Sequence, residues 1–299
     1  MSASDIFNAL SLGSVLLLIA LGLAITFGLM RVINMAHGEF IMTGAYVTYV
    51  TQNLFKQFVP EKYFGAYFLV AIPFAFLVTA AMGWLLEVLV IRKLYGRTLD
   101  TLLATWGVSL ILQQLARSIF GAANVNVLAP SWLDGQWQFG TDVSLPYNRL
   151  FIIGLAAVCL ASMWVYLYAS NPGRNIQAVM QNRDMAACIG IPTRKVDSRA
   201  FALGSGFAGV AGCAVALLGS IGSATGTYYI VQAFMVVVLG GVGQLSGAVA
   251  GAAGIGLLNT LWEVRYSSSV AIALTFACII AFLQWKPGGI APTKTRSLD

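Results

Sequence analysis

Apolar runs of about twenty residues recur along this chain, and that repetition leaves few folds open to it. A helix that crosses the hydrocarbon layer of a bilayer needs roughly 20 apolar residues, because each residue rises only ~1.5 Å. Six segments meet that requirement, at 8–30, 64–86, 99–120, 150–168, 199–221 and 270–285. Composition agrees: 59% of the 299 residues are hydrophobic and only 9% are charged, against roughly a quarter charged in a soluble domain. The expectation is an all-α integral membrane protein, a polytopic bundle forming one transmembrane domain over 1–299. Lipid and neighbouring helices, rather than a water-excluding core, cover its apolar surface.

Two regions are less regular. Segment 38–55 mixes Thr43, Gly44, Thr48 and Thr51 into an apolar run, and 229–261 is too long for one span. Gly240, Gly241, Gly243 and Gly247 interrupt the latter, which predicts two short helices around a turn. The count is then nine passes, with eight the nearest alternative.

Lysine and arginine concentrate on the cytoplasmic side of membrane proteins. With the N-terminus outside, the inner segments carry Arg31, Arg92, Lys93, Arg97, Arg174, Arg183, Arg194, Lys195, Arg199, Lys286, Lys294 and Arg296, twelve of the 17 basic residues. Lys56, Lys62, Arg117, Arg149 and Arg265 fall outside. The tail 286–299 is therefore expected in the cytoplasm. Trp84, Trp164 and Trp285 fall near inner boundaries and Trp262 near an outer one, the headgroup level that amphipathic rings prefer. The outer loop 121–149, with Trp132, Trp137, Pro130, Asp134, Gly135 and Asp142, reads either as a solvated connector or as a contact for an external partner. The opening Met1-Ser2-Ala3-Ser4-Asp5 lacks the positive region of an export signal, so the first apolar run is expected to remain as a span.

Enzyme signatures are sparse. His37 is the single histidine, and no Gly-x-x-x-x-Gly-Lys-[Ser/Thr] loop exists to cradle the phosphates of ATP. Cys159, Cys188, Cys213 and Cys278 stand far apart, suggesting packing residues rather than a zinc site or disulfide framework. The net charge of +6 follows from topology, since no basic stretch carries the interleaved aromatics that track nucleic acid. Gly204-Ser205-Gly206-Phe207-Ala208-Gly209 has dinucleotide-loop spacing but opens a span and follows no strand, so helix packing is expected. Gly243, Gly247 and Gly251 fall four apart, on one helix face. They serve either close packing or a break that opens backbone groups to a polar path.

Arg31 to Phe40 is the most unusual segment, because Asn34, His37 and Glu39 crowd the junction of two apolar stretches. Ionisable groups there are costly unless they face protein or water. Two roles stay open: capping the next helix, with Glu39 paired to Arg31 or His37, and a place in a solute path or gate. Segment 171–199 reads as a helix capped by Asn171, with Pro172 in its first turn, ended by Gly190-Ile191-Pro192. Ile176, Val179, Met180 and Ala187 form an apolar stripe on it. A soluble partner could grip this helix; the alternative is a basic loop serving topology and inner-leaflet lipid.

The run Gly22-Leu23-Ala24-Ile25-Thr26-Phe27-Gly28, leading into Ile33-Asn34-Met35-Ala36-His37-Gly38-Glu39, resembles the permeases of branched-chain amino acid ABC importers. Ala178-Val179-Met180-Gln181-Asn182, Met185-Ala186-Ala187 and Gly190-Ile191 resemble that family's coupling loop. Val238-Leu239-Gly240-Gly241-Val242-Gly243 and Trp285-Lys286-Pro287-Gly288-Gly289 also fit, so the resemblance spans nearly the whole chain. Gln244 and Lys286 depart from the pattern, which has asparagine and arginine there. Two stretches, 101–110 and 181–194, look closest to the urea-type permease.

The resemblance implies an importer in a bacterial inner membrane, with urea or a short amide as solute and a branched-chain amino acid as the alternative. It implies a heterodimer with a second, related permease, two cytoplasmic ATPases and an external solute-binding protein. ATP and Mg would sit on the ATPases, with no cofactor or metal on this chain. Arg174, Val179, Met180, Gln181, Asn182, Arg183, Asp184, Ala186, Ala187 and Gly190 would couple to the ATPases. Asn34, His37, Glu39, Thr105, Ser109, Gly240, Gly241 and Gly243 are the pathway or gate candidates. No fixed carboxylate–arginine pair for a zwitterion is legible. The rival classes are a stand-alone urea channel, an ion-coupled secondary transporter and, with one histidine and few intramembrane carboxylates, a membrane enzyme.

Overall fold

The computed structural model describes residues 3–30, 32–139 and 143–291. Arg31, Asp142, Lys294 and Arg296 lie outside the described residues, as does any pairing of Glu39 with Arg31. Nine long helices dominate: α1 (Ala3–Met30), α2 (His37–Phe58), α3 (Tyr67–Leu89), α4 (Thr98–Phe120), α5 (Tyr147–Ala169), α8 (Thr193–Ala216), α9 (Thr225–Gly240), α10 (Leu245–Glu263) and α11 (Ser268–Trp285). Two short helices, α6 (Asn171–Gln181) and α7 (Arg183–Cys188), link α5 to α8. Six helices are long and apolar enough to cross a membrane; α2 and α4 are diluted by polar residues and α9 has 16 residues. Among the described residues the extended pairings are an antiparallel hairpin of β1 (Gln136–Phe139) and β2 (Val143–Pro146) and one isolated bridge, Val125 with Ile221.

Segment 38–55 is a regular helix despite its threonines. Thr43, Thr48 and Thr51 each donate to the carbonyl four residues earlier, at Glu39, Gly44 and Val47. A hydroxyl satisfied that way costs the apolar surroundings little. The break near 240 forms as the glycines predict, with Gly241 and Gly243 at positive φ.

The centre of the bundle is α1 and α8, whose most apolar stretches are each 83% buried. They meet through glycine. A Cβ on Gly22 would lie 2.0 Å from the Gly204 carbonyl oxygen, and one on Gly204 2.6 Å from that of Gly22. Gly209 and Gly212 bring α8 equally close to α2 at Gly44 and Ile41. This is the small-residue packing that stands in for the hydrophobic effect between helices in lipid, and it accounts for the Gly204–Gly209 motif. Around that centre, α3, α5 and α11 turn large apolar side chains outward, among them Leu77, Val158 and Ile280.

The connections collect at two ends. The α3–α4 link, α6, α7, the α9–α10 turn and residues 286–291 share one end, joined by Tyr95 with Arg183, Met180 with Gly243, and Ala291 with Gly240. Segments 59–66, 121–139, 143–146 and 217–224 share the other, joined by Trp132 with Gly65 and Val125 with Ile221.

Candidate functional site

Along α4 the helical pattern is inverted. Thr101, Thr105, Ser109, Gln113 and Arg117 fall four residues apart and make one face. That face turns inward: Thr101, Thr105 and Ser109 are buried, while Leu99, Leu103, Ile111, Leu115 and Ile119 point away from the chain. Accordingly α4 is tied to its neighbours by hydrogen bonds. The Met35 amide donates to Thr105 Oγ1 at 3.2 Å, Arg117 Nε to Ser223 Oγ at 2.8 Å, and Gln113 Nε2 to Thr227 Oγ1 at 3.0 Å. The result is a polar seam running most of the length of the bundle between α4 on one side and α2 and the start of α9 on the other.

Glu39 sits in the middle of this seam. Its Oε1 accepts from Ser109 Oγ at 2.9 Å and from Gln113 Nε2 at 2.8 Å. Ser109 lies eleven residues from either end of α4, so the carboxylate is at half depth. The backbone explains how it gets there. Helix α2 does not start where α1 stops: His37, its first residue, donates from Nε2 to the carbonyl of Ile19, 3.3 Å away. Ile19 is eleven residues short of the end of α1 at Met30, or ~16 Å along the axis. Over 32–36 the chain climbs back without helix, steadied where Asn34 Oδ1 accepts the Ala36 amide at 3.0 Å. Non-helical backbone at membrane depth is tolerated only when buried in protein or facing a polar cavity. The interrupted helix expected near Gly240 thus has a deeper counterpart at 32–36.

Of the pathway candidates, Asn34, Glu39, Thr105 and Ser109 come together here. His37 does not pair with Glu39: its ring turns to α1, against Ile19 and Gly22. Gly240, Gly241 and Gly243 lie at the α6–α7 end. There the Ile290 and Ala291 amides donate to the carbonyls of Leu239 and Gly240, so the chain itself occupies the backbone groups of the break. Gln113, Thr227, Arg117 and Ser223 belong to the seam although they were not singled out from sequence. The four-residue spacing on α4 is the signal; Thr227 on α9 and Ser223 just before it carry none.

At the α6–α7 end, the single helix expected from Asn171 to the stop at Gly190 is two pieces, α6 and α7. Ser170, not Asn171, caps α6 by accepting the Gly173 amide at 3.0 Å, with Pro172 in the first turn as expected. Asn182 adopts an extended conformation and caps α7 by accepting the Met185 amide at 3.0 Å. Gly190, at φ 86°, ends α7, and Thr193 already begins α8. Ile176, Val179 and Ala186 face the bundle, and the Met180 methyl packs beside Gly28 and Gly243. Arg174, Gln181, Asn182, Asp184, Ala187 and Gly190 are exposed, as are the apolar Met185 and Ile189.

Two buried carboxylates brace this end. Asp197 on α8 takes both terminal nitrogens of Arg183, one at 3.1 Å, while the guanidinium lies 4.8 Å over the Tyr95 ring. Burial pushes the Tyr95 phenol above the ordinary tyrosine range, so the ring stays neutral beneath the cation. Glu87 on α3 pairs with Arg92 at 2.9 Å and accepts Ser198 Oγ at 2.6 Å. An open cavity of about 560 Å³ beside Arg183 is lined by Met30, Tyr95, Gly96, Met180 and Asn182, among others. Among the described residues no cluster of His, Cys, Asp and Glu could hold a metal.

Comparison with known proteins gives a consistent picture. Residues 5–283 match the family model described as branched-chain amino acid transport system / permease component. The high-affinity branched-chain amino acid transport system permease protein LivH of Salmonella typhimurium is 29% identical over 294 residues, covering 96% of this chain and 94% of the relative. A probable branched-chain amino acid transport permease protein LivH of Methanocaldococcus jannaschii is 28% identical, covering 97% and 93%. LivM of Escherichia coli is 24% identical over 304 residues, covering 94% and 69%. No solved structure matches.

Proposed function

This chain belongs to the family of branched-chain amino acid transport system permease components, and we propose that it is the membrane half-channel of an ATP-driven importer for branched-chain amino acids. The observation that carries this reading is similarity to transport permeases along nearly the whole chain, LivH of Escherichia coli included at 96% coverage. As a permease subunit it is not an enzyme; ATP and Mg reside on two partner ATPases. LivH-like and LivM-like relatives both align, which supports a second, related permease as its neighbour in the membrane. An external solute-binding protein delivers the solute.

In this reading the nine long helices make nine passes, N-terminus outside and C-terminus in the cytoplasm. Six of the eight connections between these helices are placed, three at each end, which supports that count. The basic residues of the α6–α7 end support its assignment to the cytoplasm. Gln181, Asn182, Asp184, Ala187 and Gly190, with the exposed Met185 and Ile189, meet the ATPase. Arg174 and Arg183 flank that contact, and Val179, Met180 and Ala186 anchor it to the bundle. Asn34, Glu39, Thr105 and Ser109 border the solute path. His37 and the glycines 240, 241 and 243 are the hinge candidates, because close glycine contacts let helices slide.

Urea is the second reading, favoured by the stretches 101–110 and 181–194. The experiment is ATP-dependent uptake of labelled leucine and labelled urea in cells carrying the full set of transport components, and in the same cells lacking only this chain. Loss of leucine uptake alone is expected. Loss of urea uptake alone keeps the importer and replaces its solute.

A further inference from the structure

Two polar atoms at the middle of the seam have no hydrogen-bond partner among the described residues, and they are of opposite kinds. Glu39 is 1% exposed, and while Oε1 accepts two donors, Oε2 accepts none. Asn34 is 2% exposed, and while Oδ1 is used by the Ala36 amide, Nδ2 donates to nothing. Buried polar groups are ordinarily paired, and a carboxylate oxygen left without a donor carries a larger penalty than a neutral group. The two residues are spaced along α4 by one helical turn. Asn34 adjoins Met35, whose amide meets Thr105, and Glu39 meets Ser109 four residues further on, an axial offset of ~6 Å.

A carboxyl oxygen with no donor and an amide nitrogen with no acceptor, one turn apart beside the start of a helix at half depth, fit a small zwitterion. We propose that Glu39 Oε2 receives the ammonium group of an amino acid in transit, with Asn34 Nδ2 donating to its carboxylate. Ser109 Oγ and Thr227 Oγ1 supply the neutral oxygens that the remaining ammonium protons need. The amide dipoles at the start of α2 favour the carboxylate. Apolar side chains of α9, such as Ile230 beside Gly38, are left to meet the solute's hydrocarbon. Gln113, which bridges Glu39 and Thr227, is the side chain that must swing aside to admit the ammonium. Urea has neither charge and would gain little from a carboxylate over an amide. The inference rests on the amino acid reading of the importer.

The test uses the complete importer in proteoliposomes, with its solute-binding protein, measuring labelled leucine uptake and stimulated ATP hydrolysis together. Glu39→Gln keeps the volume and an acceptor for Ser109, and replaces the charged Oε2 acceptor by a neutral NH2 donor. The expected result is at least a tenfold loss of leucine uptake while ATP hydrolysis stays within twofold. Uptake equal to that of the unchanged complex overturns the proposal and leaves the importer intact. Should the unchanged complex carry urea and not leucine, the amino acid reading falls and takes the proposal with it. If uptake requires sodium and Glu39→Gln removes that requirement, Oε2 binds a coupling ion and the proposal is wrong. If Glu39→Gln does not assemble, Glu39→Asp decides: a KM for uptake raised severalfold supports the site, and an unchanged KM overturns it.

Discussion

Arg183 on α7 and Asp197 on α8 form a two-pronged ion pair in which the carboxylate is wholly buried and the guanidinium is 38% exposed. It joins the first residue of the short α7 to one of the two central helices. Movement of α7 by a partner would therefore be transmitted to α8 by a fixed charge pair rather than through loop backbone. Removing one member of a buried pair strands the other. Arg183→Ala is expected to lower stability by roughly 1–3 kcal/mol, less than a fully buried pair because one side is wet. It should also raise the ATP hydrolysed per leucine imported. Thermal unfolding in detergent and the coupling ratio in proteoliposomes measure the two effects, and the exchanged pair Arg183→Asp with Asp197→Arg should recover part of both.

Met185 and Ile189, 62% and 70% exposed, lie four residues apart at the end of α7, on the surface assigned to the ATPase. Met185→Lys with Ile189→Lys is expected to leave the melting temperature of the isolated chain within about 1 °C, since surface changes are usually within ±0.5 kcal/mol. Affinity for the ATPase should fall tenfold or more in a pull-down titration. A melting temperature that drops instead would show that these side chains serve the fold.

Glycine contacts give a contrast of sign. A Cβ on Gly204 would lie 2.6 Å from the Gly22 carbonyl oxygen, while one on Gly107 or Gly154 meets nothing within 4 Å. Gly204→Ala should separate α1 from α8 and destabilise by about 1–3 kcal/mol. Gly154→Ala should be neutral or stabilising by up to about 1 kcal/mol through helix propensity. Unfolding in mixed micelles compares them directly.

Cys188 is exposed on α7, whereas Cys159 and Cys213 are buried. A membrane-impermeant maleimide should label Cys188 in inside-out vesicles and not in intact spheroplasts, with Cys188→Ser abolishing the signal. Labelling in spheroplasts would invert the orientation argued from lysine and arginine.

What the sequence determined by itself follows from solvent and local spacing. Long apolar runs fix a helical membrane bundle because lipid offers the backbone no hydrogen bonds. Glycines at 240–243 fix a turn, and the dinucleotide-loop spacing of 204–209 resolves into helix packing because no strand precedes it. Boundaries and pairings were another matter. Ser170 rather than Asn171 caps α6, and Asn182 splits the expected helix, since a cap is chosen by which side chain the chain path brings to the free amides. Nothing local says that α2 begins beside Ile19 rather than at the end of α1, or that Glu39 meets Ser109 and Gln113 instead of His37. The first joins residues 18 positions apart and the second residues 70 and 74 positions apart, so neither shows in local spacing. Local chemistry decided which segments are helices; long-range packing decided which polar groups those helices bury together, and the candidate site is made of those groups.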